Sequence, residues 1–89
     1  MTGLLTKATQ RFSETQIDDE IVVMSLDSGD FFSLSGTARA IWLLLDGTRD
    51  RAALIGALIQ QYGTARESIT GEVDAFLAQL DQAGLIRLG

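Results

Sequence analysis

This sequence contains neither histidine nor cysteine, so acid–base or nucleophilic schemes that need an imidazole or a thiolate are closed to it. What remains is carboxylates, hydroxyls and isolated cations. The densest carboxylate cluster is Asp18-Asp19-Glu20. Three consecutive acids lack the alternating spacing and distal Glu that wrap a calcium ion, so they read as a solvated turn. The serines fall in candidate strands, turns and helix caps, with no G-x-S-x-G context and no neighbouring Lys to serve as base. Gly29, Gly36 and Gly47 are too far apart to cradle a phosphate, and no G-K-[ST] occurs. The sequence therefore assigns no catalytic residue, no metal ligands and no cofactor.

Charge narrows the partners. The net charge is −5 and the pI about 4.4, a field that repels phosphate backbones at long range. Lys7, Arg11, Arg39, Arg49, Arg51, Arg66 and Arg87 stand singly, whereas a nucleic-acid footprint gathers its cations on one face. A helix-turn-helix around Gly63 would make the segment from Arg66 to Ala83 the reading helix. That segment sets one Arg against Glu67, Glu72, Asp74 and Asp81. Nucleic acid is not expected as a partner, and an acidic winged-helix regulator stands only as an alternative. The longest apolar run, Ala40 to Leu45, falls far short of the roughly 20 residues that span a bilayer. No membrane segment is expected, and the absence of Cys fits a cytoplasmic location.

The positioning elements follow from periodicity. With 89 residues, 46% of them hydrophobic, the chain supports one core. Residues 1–10 show no period and read as a flexible tail, leaving 11–89 as the domain. Phe12 to Ile17 reads as a strand closed by the acidic turn. Ile21 to Leu26 and Phe31 to Leu34, separated by Asp27-Ser28-Gly29-Asp30, read as a hairpin. With Ser28-Gly29 as a two-residue loop, Leu26 faces Phe31 and Val23 faces Leu34; a longer loop would shift this register by one. Val22, Met24, Leu26 and Phe31 then share one face, and Ile21, Val23, Phe32 and Leu34 the other. Apolar residues on both faces imply contact with something beyond the domain.

After Ser35-Gly36-Thr37 the period becomes helical. Ala38, Ile41, Trp42 and Leu45 predict a helix over about 37–46, with Ser35 or Thr37 as N-cap and Gly47 after its end. Asp50 caps a second helix carrying Leu54, Ile55, Leu58, Ile59 and Tyr62 and ending at Gly63. Thr64 and Glu67 have capping-box spacing for a third, which carries Ile69, Val73, Phe76, Leu77 and Leu80. It stops at Gly84, with Leu85 folding back on Leu80. Gly71 within it reads either as a close backbone approach or as a tolerated exposed glycine. Leu85 to Leu88 either adds a short strand or trails off. The fold class is α+β, winged helix-turn-helix-like, with a three-stranded antiparallel sheet followed by three helices.

In order and spacing, Asp19-Glu20-Ile21-Val22-Val23, the run from Leu26 to Thr37, Ala40-Ile41-Trp42, Leu45-Asp46-Gly47 and Phe76-Leu77-x-x-Leu80-x-x-x-Gly84-Leu85 resemble the PqqD-like family. These are the recognition elements of ribosomally synthesised, post-translationally modified peptide pathways. The resemblance covers nearly everything after residue 12. Phe31 to Gly36 and the stand-alone length look most like the leader-binding proteins of lasso-peptide biosynthesis. Ser35 departs from the Asn or Asp that many relatives carry.

The resemblance implies leader-peptide binding without catalysis. A precursor's leader would add as a strand along Asp30, Phe31, Phe32, Ser33 and Leu34 and pack against Val73, Asp74, Phe76, Leu77 and Leu80. The bound leader would be presented to a partner leader protease or a cyclase. A peptide-chaperone role in pyrroloquinoline quinone biosynthesis is the alternative within the family. The mode is physically reasonable, because an edge strand has free N–H and C=O groups and a neighbouring helix can supply side-chain pockets. Core packing is the competing explanation for Phe31, Phe32 and Phe76.

Overall fold

The computed structural model describes residues 3–63 and 65–88, apart from the Leu88 side chain. In chain order the elements are β1 (Leu5–Lys7), β2 (Phe12–Ile17), β3 (Glu20–Ser25), β4 (Phe31–Leu34), α1 (Gly36–Leu44), α2 (Arg51–Tyr62), α3 (Arg66–Gln82) and β5 (Ile86–Leu88). β2, β3 and β4 form an antiparallel sheet in that order, and β1 pairs with β5 in a second, two-stranded sheet. The three-stranded sheet followed by three helices matches the fold class read from periodicity.

β2 and β3 turn over Asp18-Asp19, with Ile17 opposite Glu20. Asp18 takes φ +52° there, a left-handed conformation that Asp tolerates because its short side chain can bond locally. Between β3 and β4 the register pairs Ile21 with Leu34, Val23 with Phe32 and Met24 with Phe31. The two-residue loop is thus corrected to four residues, Leu26 to Gly29, closed by the Ser25 N–H donating to the Asp30 carbonyl at 2.8 Å. Gly29 at φ +78° and the Ser25 hydroxyl, which accepts from the Ser28 N–H, stabilise this wider turn. The slip is two residues, not one. Because side chains alternate with period 2, both predicted faces survive it.

The inner face carries Ile21, Val23 and Leu34 into the core against Ile41, Trp42 and Leu45 of α1 and its end, Leu54, Ile55 and Leu58 of α2, and Ile69, Val73, Leu77 and Leu80 of α3. Trp42 is fully buried. Phe12 packs edge-on against it at 5.1 Å, and the Lys7 ammonium lies 4.5 Å from its ring centroid. Burial pulls the Lys7 pKa below its ordinary value, with Glu14 and Asp46 acting in the opposite sense.

The helix ends follow local rules. The Asp50 carboxylate accepts from the Ala53 N–H at 2.8 Å, and Gly63 closes α2 at φ +67°. α3 ends in a Schellman motif: the Leu85 N–H donates to the Leu80 carbonyl at 2.9 Å and the Gly84 N–H to the Asp81 carbonyl at 3.0 Å. The expected capping box depends on Thr64, which lies outside the described residues. α3 follows Ala65 and has Glu67 in its first turn, where a carboxylate complements the helix dipole. Around Gly71 no atom comes within 4 Å of a built Cβ, so of its two readings the exposed, tolerated glycine holds.

The N-terminal expectation requires correction. Leu5–Lys7 is a strand, paired through Leu5 with Leu88, Thr6 with Arg87 and Lys7 with Ile86. Its other edge is held by the 46–49 loop. There the Leu5 N–H donates to the Arg49 carbonyl at 2.9 Å and the Gly47 N–H to the Leu5 carbonyl at 3.2 Å. Asp46 braces this loop by accepting from the Thr48 hydroxyl at 2.6 Å and the Arg49 guanidinium at 3.0 Å. Those bonds, led by the Thr48 hydroxyl, hold its pKa down to about 2. Leu5 is only 4% exposed. Leu5→Ala is therefore expected to lower unfolding free energy by about 2–4 kcal/mol, through lost transfer energy and the cavity left behind. Urea denaturation followed by circular dichroism measures this; an unchanged midpoint would restore the flexible-tail reading.

Candidate functional site

β4 lies at the edge of its sheet, and among the described residues no strand pairs with its outer side. The register fixes which groups face outward. Ser25 and Asp30 form a hydrogen-bonded pair, so by antiparallel alternation Val23 with Phe32 and Ile21 with Leu34 are the next such pairs. The N–H and C=O groups of Phe31 and Ser33 therefore point away from β3. Two donors and two acceptors, at alternate residues, line an open edge.

The side chains near this edge differ in availability. Phe31 is 68% exposed on the outer face of the sheet, Phe32 is half-buried, and Leu34 belongs to the core. The Ser33 hydroxyl donates to the Glu20 carboxylate at 2.7 Å. Asp30 accepts from the Ser28 hydroxyl at 3.0 Å and is fixed against the hairpin loop.

β4 runs through Ser35 directly into α1, and the first turns of α1 form one wall of a groove whose other wall is α3. Thr37, Ala38 and Ile41 face Glu72, Ala75, Phe76 and Gln79 across about 290 Å³. Phe76 is partly buried there, packed on the core. Asp74 lies two positions away, so its side chain projects about 200° around the helix. Together with Leu77 and Arg51 it lines a different cavity of about 480 Å³, on the opposite flank of α3 beside Leu5, Ala78 and Asp81. Val73 and Leu80 are fully buried and Leu77 nearly so. Of the ten residues named from sequence, the four β4 residues form the edge strand, Asp30 lies just before it against the hairpin loop, and Phe76 lines the groove walled by α1 and α3. Asp74 and Leu77 belong to the far flank, and Val73 and Leu80 support the helix from behind.

Sequence reasoning missed Thr37, Ala38 and Ile41 as a groove wall, and Glu72, Ala75 and Gln79 as partners of Phe76. The stripe 72, 75, 76, 79 has helical spacing and was legible as a face. Its mixed polarity hid it beside the more apolar stripe through Val73 and Leu80.

Asp74 accepts a two-pronged bond from Arg51, at 2.7 Å from Nε and 2.9 Å from Nη2. The pair ties the start of α2 to the middle of α3. Half-exposed, it contributes little to stability but sets geometry.

A model of the family described as "Coenzyme PQQ synthesis protein D (PqqD)" matches residues 20–86. The chain belongs to the PqqD family. That span runs from the start of β3 into β5 and so includes the open edge, the groove and all of α3. Two solved structures share the fold of this PqqD-family chain. One is described as "TbiB1 in Complex with the TbiA(beta) Leader Peptide", with TM-score 0.77, 26% identity, and coverage of 86% of this chain and 90% of that one. The other is described as "Lasso peptide synthetase B1 complexed with the leader peptide", with TM-score 0.79, 21% identity, and coverage of 94% and 98%. A comparison with curated proteins gave no significant match.

The Arg51 guanidinium, chiefly by hydrogen bonding, holds the Asp74 carboxyl below its ordinary 3.8. A folded pKa below the unfolded one gives stability that is complete above the unfolded value and fades as pH falls through the folded value. Arg51→Gln is expected to raise the Asp74 pKa toward 3.8, which a carboxyl NMR titration follows. An unmoved Asp74 titration would mean the ion pair does not persist in solution.

Proposed function

We propose that this chain is a non-catalytic module that binds the leader segment of a ribosomally made precursor peptide and presents it to a partner leader protease or modifying enzyme of lasso-peptide biosynthesis. The observation that carries the reading is the open outer edge of β4, with the Phe31 and Ser33 amides and carbonyls free, on a strand that leads through Ser35 into the α1 wall of the Phe76 groove. An extended peptide bonding to that edge becomes the fourth strand of the sheet, and alternate side chains reach the groove. The leader-peptide complexes among the solved relatives support the same reading.

The energetics specify what kind of peptide fits. Fixing each peptide residue costs about 1–2 kcal/mol of backbone entropy. Four outward backbone groups, at ~1 kcal/mol net per bond, do not offset the ordering of six or so residues. Burial of apolar side chains at ~25 cal/mol per Å² must supply the remainder, so the leader carries hydrophobic anchors at alternate positions. Phe31, Phe32 and Phe76 are the contacts this reading assigns to them. Asp30 and Ser33 mark the ends of the exposed edge. Leu34, Val73, Leu77 and Leu80 shape the wall from within, and Asp74 orients α3 through Arg51. Such a module makes and breaks no bond; it acts by raising the local concentration of precursor at an enzyme, in the cytoplasm where the precursor is made.

The family description also fits a peptide chaperone for quinone-cofactor synthesis. The two roles share one binding mode and differ in which peptide saturates the edge.

Titration of the full chain with a labelled synthetic leader, encoded beside its gene, is expected to saturate at tens of micromolar or below by fluorescence anisotropy. Ser33→Pro deletes an outward N–H while leaving the β3 ladder intact, and should weaken binding about tenfold, roughly 1.4 kcal/mol. Ser33→Ala, which keeps the N–H, should bind within about twofold of the parent. A folded Ser33→Pro protein with parental affinity would exclude strand addition at this edge.

A further inference from the structure

Apart from Phe31, the outer face of the sheet is a second surface that peptide binding at the edge and groove leaves unused. The helices cover only the inner face of the sheet. The outer face presents Val22 and Met24 half-buried in its middle, with Phe31 beside them and Ile17 and Leu26 near its ends; the last three are more than half exposed. The charges around this patch have one sign. From Phe12 to Ala38 there is no Lys or Arg; Glu14, opposite Val23, belongs to the inner face, which leaves five acids, Asp18, Asp19, Glu20, Asp27 and Asp30, around the patch. Asp18, Asp19 and Glu20 sit at the β2–β3 turn, and Asp27 and Asp30 at the opposite end in the β3–β4 loop. Arg11, from outside the sheet, pairs with Asp27 at 2.6 Å and offsets one of the five.

We propose that the outer face of the β2-β3-β4 sheet docks a protein whose contact surface is apolar at its centre and lysine- and arginine-rich at its margins, namely the enzyme to which the bound peptide is delivered. This rests on the peptide-binding reading for the identity of the enzyme, while the centre of the patch, Val22 and Met24, lies on β3 rather than on the β4 edge. Charge complementarity selects the occupant. A second copy would bring two acidic rims together, and an anionic bilayer would meet the same repulsion. A protein with the opposite rim gains steering and register from these carboxylates and burial from Val22 and Met24. Three strands ~4.8 Å apart and about six residues long offer a face on the order of 300 Å². That is under half the ~800 Å² per partner of a standard interface. The contact is therefore transient unless it spreads onto the hairpin ends, as suits a module that releases its cargo.

The test uses the full chain and the purified leader protease encoded beside it, with affinity read by biolayer interferometry at two salt concentrations. Met24→Glu, at the centre of the face, and Thr15→Arg, at an exposed position opposite Val22, are each expected to weaken protease binding at least about tenfold. The double variant Asp18→Lys/Asp19→Lys should weaken it severalfold and flatten its salt dependence. Leader-peptide affinity should stay within about twofold in all of them, and circular dichroism verifies the fold. Parental protease affinity in every variant, or no affinity in the parent, overturns the proposal. So does a concentration-dependent dimer in sedimentation equilibrium that Met24→Glu dissolves, which would give the face to a second copy. Failure of the parent to bind the leader refutes the peptide reading instead, and is read in a separate titration.

Discussion

The β3–β4 ladder is the constraint on which the site depends. Its register, set by the bond between Ser25 and Asp30, decides which half of β4's backbone is consumed inside the sheet and which half is left over. It also decides which side chains go down: Phe32 and Leu34 toward the helices, Phe31 and Ser33 away from them. A slip of one residue would place Phe31 and Ser33 in the core and turn the free amides to Phe32 and Leu34. The buried Ile21–Leu34 and Val23–Phe32 contacts make that slip costly. The core thus protects an edge that is itself unpaired.

The helices translate this edge into a groove. α1 begins one residue after Ser35, so its first turn is anchored to β4 by the chain itself, while α3 is brought to it from 30 residues away. Three devices fix α3: the stripe Ile69, Val73, Leu77 and Leu80 on the core, the Arg51–Asp74 fork to α2, and the Schellman end that redirects the chain into β5. β5 then pairs with β1, whose far edge is bonded to the 46–49 loop. The second sheet is thereby a clamp, joining Leu5–Lys7 to Ile86–Leu88 on the flank of α3 away from the Phe76 groove.

The legible and illegible parts divide by sequence distance. The β2–β3–β4 order, the Asp50 cap, the Gly63 and Gly84 terminators and the three helical stripes each depend on residues a few positions apart, and periodicity and capping chemistry expose them. β1 has three residues, too few for a period, and its partner Ile86–Leu88 lies about 80 positions away, so nothing local marks Leu5 as buried. The hairpin loop failed for a subtler reason. Ser28-Gly29 is a plausible tight turn by composition, but the Ser25 hydroxyl and the Ser28–Asp30 bonds stabilise a wider one. At the site, the β4 edge was readable because alternation exposes it. The resemblance named residues of α3 that the structure places on two flanks: Phe76 and Asp74 are neighbours in sequence and far apart around the axis.

An open strand edge is ordinarily an aggregation hazard, since any extended chain can pair with it. This chain limits the hazard without closing the edge. β4 has only four residues, so a stray partner gains few bonds. Asp30 sits at its entrance and Glu20 bonds across to Ser33, so two carboxylates flank the row of free amides. At the opposite edge β2 carries Ser13, Glu14, Thr15 and Gln16, polar residues exposed along nearly its whole length. Two copies meeting edge to edge would align like charges, whereas a peptide with apolar anchors and few acids would not. On the proposed reading, affinity for the right strand and rejection of the wrong one would come from different elements: the first from the groove between α1 and α3, the second from the carboxylates at the ends of the edge.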